Sequence, residues 1–316
     1  MRVRATLALG ITSITLTAVM LFSSGALHAQ MPAPVPPDTN LKVLIVIAHP
    51  DDESGFSATV YKITHDLGGS VDLALITNGE GGYKYSTLAE QYYNLELTDE
   101  KVGRENLPWI RKRELMSAGR IIGIRNFFFL DQLDHRYTQN VDSVLQYVWD
   151  VPQIRKRLAE IVARGNYNYI LCLLPTPDTH GHHKGATIMA LETAKAIPLE
   201  RRPVVLGGSV SSQKDTAQLH FTGLANYPIT SVNAGSRAFT FDRTTKFGWK
   251  NALDYRIIVN WEIAEHKSQG TMQMLMNLGD YENFWWFDIN NPARMDATRQ
   301  LFEKLKVIRY VPKTYN

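Results

Sequence analysis

One cysteine in 316 residues is the first thing the chain is short of. A lone thiol cannot close an internal disulfide, so stability has to come from a packed core. Cys172 lies inside "YILCLLP", an apolar run that reads as a buried strand, where a thiol is normally inert. Charge of one sign is missing too: 34 Lys and Arg face 31 Asp and Glu, and no basic run stands out. That balance argues against a nucleic-acid partner. No internal repeat and no second-domain linker breaks residues 41–316, a length that suits one large domain.

What is present begins with an unusual start. Residues 1–29 open with Arg2 and Arg4, run on uncharged and mostly apolar, and end in small residues, with Ala26 or Ala29 as cleavage points. This reads as a secretory signal peptide. The alternative is a retained anchor, because the run is near the length that spans a bilayer. Cleavage would leave an exported protein, periplasmic or extracellular, with no stable membrane insertion. Residues 30–40, with four prolines, read as an extended leader. Without Arg2 and Arg4 the balance is 32 basic to 31 acidic residues, so the mature chain is nearly neutral.

From Lys42 onward short apolar runs alternate with helical patterns. "KVLIVIAH" (42–49) and "VDLALITNG" (71–79) read as strands buried on both faces. Between them Phe56, Val60, Ile63 and Leu67 recur at helical spacing before a glycine stop. The pattern continues with a helix around 110–123, strand 126–130, a helix around 142–164, strand 168–175, helix 184–197 and strand 203–208. Such alternation predicts an α/β fold, a Rossmann-like, mostly parallel sheet with helices on both faces. Beyond residue 210 a C-terminal extension is expected: "RAFTFDR" as a strand, "DYRIIVNWEIAEHKSQG" as a helix and "NFWWFD" as an aromatic-rich loop. Residues 80–110 form a long polar excursion, and a loop of that length usually lines a site.

Chemistry concentrates at two strand ends. The first strand runs straight into His49-Pro50-Asp51-Asp52-Glu53, and three successive carboxylates repel one another unless a cation compensates. After "YILCLLP" comes "TPDTHGHHKGA", with Asp178, His180, His182 and His183. In open parallel sheets ligands bind beyond the carboxyl ends of the strands, so both clusters fall where a site belongs. His49, one of the paired aspartates and one histidine of the second cluster would make a three-ligand set suited to zinc, although other divalent metals accept the same donors. A structural alternative makes the acids a helix N-terminus. That leaves His49 and the matching histidines unexplained.

"AHPDDE" after a first strand and H-x-x-H after a later one resemble the PIG-L/LmbE-like de-N-acetylases, zinc-dependent hydrolases of N-acetylglucosamine-type amides. "TNGE" (77–80), "RKREL" (111–115) and "HKSQ" (266–269) extend the resemblance. It implies His49, Asp52 and His183 as metal ligands, Asp51 as general base, and His180 as oxyanion stabiliser or acid. Arg111 and His266 would contact an N-acetylated amino sugar or glycoconjugate. Read without the family, Arg111 could pair with Glu114 on a helix surface, and His266 could face solvent near Glu262 and Glu265. One departure stands out: the family often has Asp where this chain has His182. Asp178 is the nearest carboxylate to stand in, and His182 competes with His180 for the catalytic role. Tyr83, Tyr85, Tyr92, Tyr93, Trp285 and Trp286 are aromatic candidates for a sugar face. Rival readings are a zinc amidase of another small amide or thiol conjugate, and a non-catalytic glycan-binding protein of the same fold.

Overall fold

The computed structural model describes residues 40–215 and 217–308, so the signal-peptide and leader readings, up to residue 39, lie outside the described residues. The strands are β1 (Lys42–Ile47), β2 (Ser70–Thr77), β3 (Ile124–Gln132), β4 (Tyr169–Leu173), β5 (Val204–Ser211), β6 (Phe239–Asp242), β7 (Lys246–Phe247), β8 (Leu253–Asp254) and β9 (Tyr281–Trp286). The helices are α1 (Ser57–Tyr61), α2 (Ala89–Tyr93), α3 (Glu100–Ile122), α4 (Val141–Tyr147), α5 (Val151–Gly165), α6 (Gly181–Lys195), α7 (Arg256–Glu265), α8 (Gly270–Gln273) and α9 (Met295–Leu305). None of the described helices is long and apolar enough to cross a membrane.

Seven strands form one sheet in the order β3-β2-β1-β4-β5-β9-β6. β1 to β5 run parallel, while β9 pairs antiparallel with both β5 and β6. Alternation along β1 explains the layers. Val43, Ile45 and Ile47 face one core with residues of α1, α3, α7 and α9. Leu44, Val46 and Ala48 face a second core with residues of α4, α5 and α6. A strand flanked by helices on both sides must be apolar at every position, which is why "VLIVI" lacks the polar half of a surface strand.

Strand order also places the site. From β1 the chain moves out through β2 to β3, then returns to lay β4 on the other side of β1. The crevice beyond the carboxyl ends of β1 and β4 is this reversal point.

Three readings of the sequence need correction. "NFWWFD" is mostly strand β9, because alternating aromatics pack well on a pleated surface: Phe284 enters one core and Trp285 the other. α3 starts at Glu100, ten residues earlier than the pattern implied, because the Asp99 side chain caps it by accepting from Val102 N at 3.0 Å. The helix expected over 142–164 is two helices, with Asp150 capping α5 through Gln153 N at 3.0 Å.

Candidate metal centre and its cavity

β1 delivers His49, and the turn that follows folds back so that Asp52 reads the end of the strand. Asp52 Oδ2 accepts from the backbone N–H groups of Ala48 (3.0 Å) and His49 (2.9 Å). Its Oδ1 is left facing His183 Nε2 at 3.1 Å. His183, in the first turn of α6, also approaches His49 Nδ1 at 3.1 Å, and His49 Nδ1 lies 3.7 Å from Asp52 Oδ2. Thr179 Oγ1 pairs with the other nitrogen of His183 at 3.0 Å and fixes which face of the ring points inward. Two imidazole nitrogens and a carboxylate oxygen therefore converge on one point. Donors on bonds of about 2.0–2.2 Å to a common ion would stand at such separations.

The electrostatics favour a cation there. Burial alone would lower His49, yet Asp134 and Asp52 raise it to about 9. Asp52 is held well below the usual carboxylate range by His183 and His49 in spite of its burial. The pocket thus concentrates negative charge, and His49, Asp52 and His183 fit a divalent ion by number, type and charge.

Asp51 stands apart from this set. Its backbone takes φ 113°, ψ −19°, a region that costs a non-glycine residue about 1–3 kcal/mol and so needs support. Arg111 supplies part of it. One guanidinium nitrogen donates to Gly79 O at 2.5 Å; the other donates to Pro50 O and, at 2.8 Å, to Asp51 Oδ2. Burial pushes the Asp51 carboxyl up to about 6 against the pull of Arg111. Arg111 is itself buried, with its Nε left without a partner among the described residues, and it stands behind Asp51 at the edge of the cavity rather than against Glu114. Glu114 instead accepts from Tyr93 Oη and from Ser268 N and Oγ.

The histidines divide by position. His180 caps α6, accepts the N–H of His182 on Nδ1 at 3.2 Å, and lines the cavity. Burial and the neighbouring imidazoles depress it to about 3. A neutral ring with an acceptor at Nδ1 carries its proton on Nε2. His182 is fully buried behind His49, 3.1 Å from His49 Nε2 and 3.2 Å from Asp134 Oδ1. Asp134 is the carboxylate that serves this cluster, and Asp178 is not: Asp178 lies exposed and its side chain bonds Thr176. Asp134 follows β3, and Oδ2 is fixed by Gly81 N at 3.0 Å. Nothing in its surroundings, "LDQLDHRY", marks it out in the sequence. His266 also departs from expectation. It is fully buried beneath the cavity, with Nε2 2.6 Å from Glu53 Oε1, and it neither faces solvent nor lines the wall.

A cavity of about 680 Å³ opens over the cluster. His49, Asp51, Asp52, His180 and His183 lie on it, and residues of the 80–110 segment, including Tyr83, Lys84, Tyr85 and Arg104, form a wall. Tyr137, unmarked in the sequence, packs against His180 with ring centroids 4.9 Å apart and the planes tilted by 49°. Trp285 is core, Tyr93 is tied to Glu114, and Tyr92 packs with Lys267.

Residues 44–194 match the family profile described as PIG-L: GlcNAc-PI de-N-acetylase. A curated relative, the probable N-acetyl-alpha-D-glucosaminyl L-malate deacetylase 2 of Bacillus cereus, is 25% identical over 173 residues, 55% of this chain and 70% of its own. Among solved structures, N,N'-diacetylchitobiose deacetylase from Pyrococcus horikoshii is 23% identical with a TM-score of 0.35; the match covers 48% of this chain and about half, 49%, of that one. GalB, the 4-carboxy-2-hydroxymuconate hydratase of Pseudomonas putida KT2440, is 14% identical with a TM-score of 0.48 over 78% of this chain and 95% of its own. The profile match spans both strand ends that build the cavity floor, from β1 through His183. Over residues 44–194 this chain carries a PIG-L domain.

Proposed function

We propose that the protein is a zinc-dependent hydrolase that removes an N-acetyl group from an N-acetylglucosamine-type substrate. One observation carries the reading: a three-donor set with charge suited to a dication shares a cavity floor with a separate carboxylate, Asp51. His49, Asp52 and His183 would hold the ion. When bound, zinc supplies Lewis acidity and lowers the pKa of water to about 7. Asp51, braced by Arg111, is the base that removes the proton; its elevated pKa suits exchange near neutrality. His180 presents an Nε2–H from a neutral, cavity-lining ring, the form that donates to a developing oxyanion. Tyr83, Tyr85 and Tyr137 offer faces for a sugar ring.

The names of the relatives, a glucosaminyl-malate deacetylase and a chitobiose deacetylase, support an amino-sugar amide as the substrate class. The N-terminal sequence supports export, with the mature protein starting after Ala26 or Ala29. The test is acetate and amine release from N-acetylglucosaminyl conjugates, chito-oligosaccharides and unrelated acetamides, with zinc, iron, cobalt or nickel restored. Release from the sugars first is the expected outcome. Turnover confined to other amides would favour the amidase reading, and sugar binding with no turnover under any metal would leave a glycan-binding protein.

A further inference from the structure

Beneath the cavity floor three ionisable side chains meet in a place with no solvent. Glu53, Glu262 and His266 are each fully buried. His266 Nε2 lies 2.6 Å from Glu53 Oε1 and 3.3 Å from Glu262 Oε1. Glu262 Oε2 accepts from Ser57 Oγ at 3.2 Å, which ties the group to the start of α1. Glu262 and His266 stand one turn apart at the end of α7, whereas Glu53 comes from the turn after β1.

A buried ionic group of this kind is weak evidence for stability, since well-packed apolar side chains often serve a core as well or better. Its far end shows what it does instead. Glu53 has a second oxygen, Oε2, and that oxygen accepts the backbone N–H of Asp51 at 2.9 Å. Asp51 is the residue held at φ 113°. Arg111, from α3, grips Pro50 O and the Asp51 carboxylate, and α3 packs against α7. The peptide before Asp51, its amide and its carboxylate are thus each restrained, and the amide is restrained through the buried chain.

We propose that Glu262–His266–Glu53 is a positioning relay, anchored in α7, that holds Asp51 in its left-handed backbone conformation and so aims its carboxylate at the reacting water. The proposal rests on Asp51 being the base of the deacetylase reading. Its residues touch neither substrate nor ion; they act through Asp51. The "H" of "HKSQ" is then a positioning residue for a side chain 215 positions earlier in the sequence.

The test compares His266→Ala, His266→Gln and Glu53→Gln in the metal-loaded protein. His266→Ala and Glu53→Gln are expected to lower kcat by about ten- to a hundredfold, the scale of a misaimed catalytic group. KM and metal content per chain should stay as in the parent. His266→Gln keeps an N–H close to the position of Nε2 and should recover most of kcat, which a general packing role would not provide. A crystal structure of His266→Ala supplies a readout independent of turnover: Asp51 should leave positive φ. If that variant does not fold, Glu53→Gln, which preserves side-chain volume, takes its place in both measurements. Unchanged kcat, or Asp51 still at φ near 113°, overturns the relay. Should the parent protein hydrolyse no acetamido sugar, the deacetylase reading falls, and the backbone of Asp51 in the variants still decides whether the relay holds it.

Discussion

At the scale of single residues, the division of labour between adjacent aspartates is the point most open to experiment. Asp52 is consumed by the end of β1 and by His183, whereas Asp51 points elsewhere with Arg111 behind it. Asp51→Asn is expected to cut turnover by about two to four decades, the usual worth of a positioned acid–base group. Metal content measured on the same preparation should be unchanged, and loss of the ion would show that Asp51 is a ligand. Asp134→Asn should act differently. It weakens the shell around His49 and His182, so chelator competition should report metal affinity lower by about 10- to 100-fold. Much of this cluster could be read in advance: a histidine and paired acids at one strand end, histidines at another, and a sheet that puts both ends on one edge. Asp134 could not. It belongs to neither motif and arrives through the register of β3, which no local pattern encodes. For Arg111 and His266 the sequence left an inward and an outward reading open, because helical spacing does not say which side of a helix meets the site.

Secondary-structure elements carry a second lesson. Strands β1, β2, β4 and β5 were legible because burial on two faces demands largely apolar runs, and the half-exposed edge strand β3 showed through its central "NFFFL". Of the antiparallel additions β6 was legible in "RAFTFDR", but β9 was not, since it owes its place to pairing with β5 and β6 rather than to its own pattern. One close contact there is testable. A Cβ added at Gly208 in β5 would stand 2.2 Å from the ring of Phe56, the buried residue between the Asp52–Gly55 turn and α1. Gly208→Ala should therefore destabilise by about 1–3 kcal/mol, read from urea unfolding, as overpacked cores do. Displacing Phe56 also pushes on the turn bearing Asp52, so metal affinity should fall in the same variant. A neutral effect on both would mean that the ring has room to move.

For the molecule as a whole, Cys172 and the ion report on folding from opposite sides. Burial pushes the Cys172 thiol up from near 9 to about 12. The native state therefore favours the protonated thiol; its contribution to stability is full below pH 9 and declines as pH rises towards 12. Iodoacetamide should leave native protein unlabelled and modify it stoichiometrically once unfolded, and rapid labelling under native conditions would contradict the burial. Metal should raise the melting temperature, with free ion at a hundred times its Kd adding about 2.7 kcal/mol. A melt indifferent to chelator would remove His49, Asp52 and His183 as a cation site.

The positions of His49 and His183 give that ion a structural weight beyond chemistry. They lie 134 residues apart in sequence yet touch across the switch between two neighbouring strands. An ion clasped by both ties the first half of the sheet to the second, much as a removable cross-link would. It closes a long loop whose ends an unfolded chain would seldom bring together. Supply of metal would then govern how firmly the two halves stay joined, and a chain deprived of it would be expected to part first along the seam between β1 and β4.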